Sequence, residues 1–303
     1  MAVGPHAFKK MLALELDRVS RHFVTPDGGT YRAIEDISLA VGAGAFVAIV
    51  GPSGCGKSTL LNVAAGLLPP SSGRVRVDGA DLDGLNRRAT YMFQQDALLP
   101  WKSVRDNVAL GLTLAGVARA ESLARADAWL ARVGLTAFTT HYPAQLSGGM
   151  RKRVTMAQNW IIDRGLMLMD EPFSALDVHT RLRMETELLA LWDEAGSASP
   201  VARPFQDRDR GAERAALQPS KRTVLFVTHD LDEAIALADE VVVLSAGPAS
   251  HIVARHPVAL DRPRDLMELR TTTAFVDLYR ALWAVLREEV VKSQRQIVRG
   301  QPR

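Results

Sequence analysis

The chain has 303 residues, 47% of them hydrophobic, with 37 Lys and Arg against 34 Asp and Glu and a net charge of +3, at a pI near 9.2. At about 150 residues per domain this length holds one large or two medium domains with a sizeable core, which excludes disorder throughout and fibrous repeats. A single cysteine, Cys55, excludes an internal disulfide, and no run of about 18 uncharged apolar residues encodes a membrane-crossing helix. Near the N-terminus, Glu15, Asp17 and Arg18 interrupt the apolar stretch that a secretory leader needs, so a cytoplasmic chain is expected, with any membrane role coming through a partner.

Short β-branched runs bounded by Gly, Pro and Asp predict strands over 12–19, 34–41 and 46–50. The third runs into Gly51, Pro52, Ser53, Gly54, Cys55, Gly56, Lys57 and Ser58, which satisfy the phosphate-loop pattern G-x-x-x-x-G-K-[ST] and lead into an apolar helix over 58–67. Glycines let successive backbone N–H groups turn onto phosphate oxygens, and the helix N-terminus adds partial positive charge. In such a loop Lys57 reaches the β- and γ-phosphates, Ser58 ligates Mg²⁺ and Thr59 meets the α-phosphate. Cys55, inside the loop, reads as a small filler with a backbone contact rather than a redox switch.

Strands over 74–77 and 91–93 follow, and from 103 to 162 the pattern turns helical, an insertion into an α/β core. Within it Leu146, Ser147, Gly148, Gly149 and Met150 lead into Arg151-Lys152-Arg153 and a helix. A serine and two glycines at a helix start form an anion-binding surface, or simply an N-cap after a turn. The apolar strand over 166–169 ends in Asp170 and Glu171, suited to a metal shell and to polarising an attacking water.

Residues 196–222 contain three prolines, six basic and three acidic residues and few bulky apolar ones, which predicts a flexible loop. Strands over 223–227 and 241–244 come next. Within 271–291, Phe275, Leu278, Leu282 and Leu286 recur at helical spacing, a stripe suited either to a membrane or partner surface or to the chain's own core. Residues 292–303, with four basic and no acidic residues, are expected to fray. The excess positive charge therefore sits in 1–11, 196–222 and 292–303, and the remainder is net acidic. A nucleic-acid partner is not expected of such a body, whereas weak attraction of the basic ends to anionic lipid is.

The loop at 51–58, Gln94 after Tyr91-Met92-Phe93, LSGGM at 146–150, Asp170-Glu171, Ser174-Ala175-Leu176-Asp177 and Val227-Thr228-His229-Asp230 stand in one order. In that order they resemble the ATP-binding subunits of ABC transporters, over residues 12–291. The resemblance implies an α/β P-loop NTPase core, RecA-like, with an antiparallel β subdomain and an inserted helical subdomain. It divides the chain into an ATPase core over 12–94 and 165–245, a signature-bearing helical subdomain over 95–164, an insertion loop over 196–222 and a short C-terminal extension over 246–303. ATP and Mg²⁺ are the implied cofactors, with residues 51–59 and Asp170 at the nucleotide, and Ser58, Gln94 and Asp170 at the metal. Glu171 is implied as general base, His229 as the γ-phosphate contact and Asp177 as the link between two active sites. Gln94, or less readily Gln95, also senses the transmembrane partner, and Phe23, or alternatively Tyr31, stacks on adenine. Ser147, Gly148 and Gly149 complete the site of the opposite subunit, so a second copy facing head to tail is implied, closing on ATP and opening after hydrolysis.

Asp96-Ala97-Leu98-Leu99-Pro100-Trp101 and the tail from Arg262 onward are similar to the subgroup serving bacterial nitrate, sulfonate and taurine importers. The implied function is the ATP-hydrolysing subunit of such an importer. It would power uptake of a small solute through separate permease subunits, peripheral on the cytoplasmic face of the inner membrane, with a periplasmic binding protein as indirect partner. The short tail does not match sugar or polyamine import subunits with an added C-terminal domain. The loop at 196–222 and the stretch at 159–165 depart from the subgroup. The alternative is a non-transport ABC-type ATPase acting on nucleic acid or the ribosome, a class that normally carries two cassettes or a long coiled coil.

Overall fold

The computed structural model describes residues 11–174, 176–194 and 221–298. In chain order these form β1 (Leu12–Val24), β2 (Thr30–Gly42), β3 (Phe46–Val50), α1 (Lys57–Ala64), β4 (Ser72–Val77), β5 (Ala80–Asp81) and β6 (Ala89–Met92). There follow α2 (Val104–Leu114), α3 (Arg119–Arg132), α4 (Gly148–Trp160), β7 (Leu166–Asp170), α5 (Val178–Glu194), β8 (Thr223–Val227), α6 (Leu231–Leu237), β9 (Glu240–Leu244), β10 (Ile252–Pro257), α7 (Leu266–Leu269) and α8 (Thr273–Val298). An antiparallel sheet has the order β2-β1-β4-β5, and a six-stranded sheet the order β10-β9-β3-β8-β7-β6, parallel except for its β10 edge.

Every residue of β3, β7 and β8 is buried, the expected state of parallel strands covered on both faces. Successive side chains of β3 point to opposite faces. Val47 and Ile49 join Leu14, Leu39 and Leu61 under the antiparallel sheet and α1, while Phe46, Ala48 and Val50 join Met184, Leu188 and Ile235 of α5 and α6. Helices α2, α3 and α4 share a separate cluster that includes Val108, Leu112, Leu130 and Val154. β10 escapes the hydropathy reading because it is an edge strand whose residues alternate between half-buried and exposed.

The insertion predicted over 196–222 lies outside the described residues as far as 220. Its last two residues are not loose. The Lys221 ammonium sits 4.2 Å from the Trp192 ring centroid and the Arg262 guanidinium 4.4 Å from it. The Trp192 indole donates to the Arg222 carbonyl at 2.6 Å and meets Phe46 edge-on. Arg222 is buried over Trp160 and donates to the Trp160 carbonyl at 3.0 Å; burial pulls its pKa down to about 10. Trp192→Ala therefore removes both a core side chain and the anchor of the chain's return into β8. A loss of about 3–5 kcal/mol in urea unfolding is expected, and a loss below about 1 kcal/mol would show that the ring neither packs the core nor anchors this return.

The apolar stripe of α8 is used internally: Phe275, Leu282 and Leu286 are buried in the core with α5 and α6, and the Glu289 carboxylate accepts from the Ala246 amide at 2.8 Å. The fraying expected from residue 292 is corrected, since α8 continues to Val298, with Lys292 donating to Glu289 one turn earlier at 2.5 Å; residues 299–303 lie outside the described part. Among the described residues no helix is long and apolar enough to cross a membrane.

Candidate functional site

Because β3, β8, β7 and β6 are parallel neighbours, the segments that leave their C-terminal ends emerge side by side. This edge of an open parallel sheet is where ligands bind. Residues 51–58, Thr228 and His229, Glu171, and Gln94 are brought together there from four distant parts of the chain.

The loop after β3 needs its glycines. Gly54 and Gly56 have φ of +76° and +93°, in the left-handed region that side chains disfavour. A Cβ at Gly56 would lie 2.7 Å from Ile34, and one at Gly51 would lie 2.7 Å from the Cys55 sulfur. Cys55 is thus a buried filler packed against Gly51, and burial pushes its thiol pKa up, away from the reactive thiolate. Lys57 is buried, its ammonium donating to the carbonyls of Gly51 at 2.9 Å and Pro52 at 3.1 Å. Ser53, Gly54 and Ser58 are exposed, and the first N–H groups of α1 have no partner within the helix. The surface is one of donors and positive charge, with no carboxylate among residues 51–59.

Ser58 opens the link to β7: its hydroxyl donates to Asp170 Oδ1 at 3.0 Å. Burial raises the Asp170 pKa, and the Ser58 hydrogen bond opposes the rise. On the other side, the Tyr91 phenol donates to Asn62 Oδ1 at 2.9 Å and lies 3.4 Å from Asp170 Oδ2. A Mg²⁺ ion fits this corner, since Ser58 and Asp170 offer hard oxygen donors at one point. Among the described residues no group of three or more His, Cys, Asp and Glu side chains could hold a metal ion. An ion held here would take its further ligands from other oxygen donors such as an amide side chain, phosphate and water, the usual situation for Mg²⁺.

Glu171 has φ of +42°, a conformation that costs a non-glycine residue about 1–3 kcal/mol. It is held there by its own N–H donating to Val227 O at 2.9 Å and by the Ser174 hydroxyl donating to its carbonyl at 3.1 Å. The twist turns the carboxylate to His229, whose Nδ1 is 3.0 Å from Glu171 Oε2. The His229 side chain is 54% exposed and that of Glu171 18%, so the pair is open to a water and a ligand while its backbone is fixed.

Gln94 and Gln95 are both exposed beyond β6. The Gln94 carbonyl accepts from buried Lys152 on α4 at 2.7 Å, and Asp96 pairs with Arg151 and Lys152, each at 3.2 Å. The sequence reading missed Lys152 and Asp96, which tie the segment after β6 to the helix that begins with Ser147. Ser147 is the N-cap of α4, its hydroxyl accepting from Met150 N at 3.3 Å, and with Gly148 it is exposed. Asp177 accepts from Thr180 N at 3.0 Å, and the hydrogen bonds from Thr180 hold its carboxyl below the usual range. Phe23 and Tyr31 are directly paired across β1 and β2, hence on one face of the hairpin, and the Arg21 guanidinium lies 4.9 Å from the Phe23 centroid. A groove of about 380 Å³ between β6 and helices α2 and α4 is lined by Tyr91, Phe93, Leu110, Leu114, Asn159 and Ile162.

The family model described as ABC transporter matches residues 34–174. The chain is 39% identical over 267 residues to the uncharacterized ABC transporter ATP-binding protein MJ0412 of Methanocaldococcus jannaschii, covering 88% of this chain and 89% of that protein. It is 41% identical to the nitrate import ATP-binding protein NrtD of Synechococcus elongatus, covering 83% of each. It is 38% identical to the taurine import ATP-binding protein TauB of Rhizobium johnstonii, covering 90% of this chain and 96% of that one. Among solved structures, the dimeric post-hydrolysis state of the ATP-binding cassette MJ0796 with ADP and Pi matches at 27% identity and a TM-score of 0.66, covering 82% of this chain and 100% of that one.

Proposed function

Because the chain belongs to the ABC transporter family and is one of its ATP-binding, ATP-hydrolysing subunits, we propose that it powers uptake of a small solute such as nitrate or taurine. It does so as a head-to-tail pair of identical chains, through separate permease subunits, from the cytoplasmic face of the inner membrane. The observation that carries the reading is the convergence at one sheet edge of Lys57 and Ser58, Asp170, the Glu171–His229 pair at 3.0 Å and the Gln94 segment. The import roles for which NrtD and TauB are named support the solute class and weigh against action on nucleic acid or the ribosome.

In this reading the loop at 51–58 and Thr59 bind the phosphates and Lys57 spans the β- and γ-phosphates. Ser58 and Asp170, with Gln94, hold Mg²⁺, which when bound neutralises developing phosphate charge. Glu171 takes the proton of the attacking water while His229 holds the γ-phosphate. Ser147 and Gly148, exposed on the helical layer, complete the site of the other copy together with half-buried Gly149, and Asp177 links the two sites. The dimeric MJ0796 structure supports the pairing. The groove beside Phe93 and Leu114 is the docking place for the permease, next to Gln94 as sensor, with Gln95 the other candidate.

The adenine platform is assigned to Phe23, with its cross-strand partner Tyr31 as the alternative. Base stacking on an aromatic ring contributes about 1–3 kcal/mol, so Phe23→Ala should weaken ATP binding by about 5- to 150-fold and leave tripolyphosphate binding unchanged. Finding that pattern in Tyr31→Ala instead moves the platform to Tyr31. The function as a whole is tested by reconstituting the chain with its permease and periplasmic binding protein in vesicles. ATPase activity should rise when the binding protein carries nitrate, taurine or a related small anion, and failure to associate with any permease would overturn the transport role.

A further inference from the structure

His229 is fixed less by its own contacts than by those of its neighbours. Thr228 donates through its hydroxyl to Glu233 Oε2 at 2.7 Å and accepts from Asp230 N at 3.0 Å. Asp230 caps α6 with Oδ1, which accepts from Asp232 N at 2.8 Å and Glu233 N at 3.3 Å. Its other oxygen, Oδ2, accepts from Arg181 Nη1 of α5 at 2.9 Å.

Arg181 does more than close that pair. Its Nε lies 3.5 Å from Glu233 Oε1, and its Nη2 donates to the Leu176 carbonyl at 3.3 Å, immediately before Asp177. Its backbone N–H donates to the Asp177 carbonyl at 2.8 Å. One planar fork thus reaches the segment that follows Glu171 and both carboxylates, Asp230 and Glu233, that brace the segment carrying His229. A lysine ammonium, a compact charge without the planar fork, does not reproduce two hydrogen bonds in fixed directions with a third edge held against Glu233. Glu233 is almost fully buried, and burial pushes its pKa up to about 7 while the Arg181 guanidinium opposes the rise, so the cation beside it favours its charged form. Arg270 pairs separately with buried Glu185, one turn along α5, at 2.8 Å, leaving Arg181 to serve the site side.

We propose that Arg181 is a positioning residue for hydrolysis: by clamping the 176–177 segment to Asp230 and Glu233 it holds His229 and Glu171 in register. This rests on the reading of Glu171 as base and His229 as γ-phosphate contact. Misplacement of a reacting group by about 1 Å costs on the order of 100-fold in rate. Arg181→Gln should therefore lower kcat by about 10- to 100-fold while the KM for ATP, and ATP binding in a Glu171→Gln background, stay within about twofold. Arg181→Lys should recover part of the loss, because it restores the charge beside Glu233 and Asp230. Thr228→Val, which deletes the hydroxyl at nearly constant volume, supplies the same kcat-only defect if Arg181→Gln does not fold. An unchanged kcat in the folded Arg181→Gln and Thr228→Val chains overturns the proposal, as does a kcat loss that follows a proportional loss of ATP binding. Full turnover in Glu171→Gln or His229→Ala would instead overturn the underlying site reading.

Discussion

Glu171→Gln is expected to leave ATP binding intact and remove turnover. Glutamine keeps the volume and a hydrogen-bond partner for His229 Nδ1, now 3.0 Å from Glu171 Oε2, and the backbone bonds that hold φ at +42° do not involve the side chain. What disappears is the capacity to accept a proton from water, and general-base catalysis contributes about 10²- to 10⁴-fold. ATPase activity should fall by that factor while the ATP dissociation constant stays within about threefold and the melting temperature is unchanged. In the head-to-tail reading the ATP-bound pair then accumulates, visible by light scattering as a doubling of mass on adding ATP. Steady turnover above about a tenth of the wild-type rate would remove Glu171 from the role of base.

Lys57→Ala acts at the step before. The buried ammonium is satisfied by Gly51 O at 2.9 Å and Pro52 O at 3.1 Å, and in the proposed function a phosphate oxygen joins this already desolvated shell. Charge-assisted hydrogen bonds contribute about 1.5–3 kcal/mol, which at about 1.4 kcal/mol per decade is roughly 10- to 100-fold in affinity. Titration calorimetry should show ATP binding weakened by that factor, whereas adenosine, which lacks phosphates, binds as before. Lys57→Arg should not rescue, because the guanidinium fork does not fit a slot built for one compact ammonium. Equal ATP affinity in Lys57→Ala would mean that the loop amides alone bind the phosphates. The two variants should fail in different ways: one binds without turning over, the other binds ATP more weakly.

The chemistry of the site was legible where a short window carries it. A phosphate loop needs glycines at backbone turns that reject a Cβ and a lysine at set spacing, and the values of φ at Gly54 and Gly56 fall where that logic puts them. The strands over 46–50, 166–169 and 223–227 were readable because strands covered on both faces are continuously apolar. The stripe of Phe275, Leu282 and Leu286 identified a helix but not its cover, since the period is the same whether the face meets lipid, a partner or the chain's own core. Lys152 and Arg181 look like ordinary solvated charges on polar helices, and although each follows a motif closely, no spacing in sequence shows which acceptor it meets. They are drawn inward by acceptors on other elements, the Gln94 carbonyl and Asp96 in one case, the Leu176 carbonyl, Asp230 and Glu233 in the other.

Local order and residue chemistry thus follow from windows of a few to some twenty residues: hydrophobic period sets element type, and glycine, lysine and carboxylate spacing sets which atoms a nucleotide can meet. Strand neighbours do not follow from such windows. The order β9-β3-β8-β7-β6 is a contest among long-range pairings, decided by which apolar faces bury best across intervening helices and an insertion. Only that order puts Ser58 against Asp170 and Glu171 against His229. The ion pairs that brace them exist because burial makes an unpartnered charge too costly to leave alone.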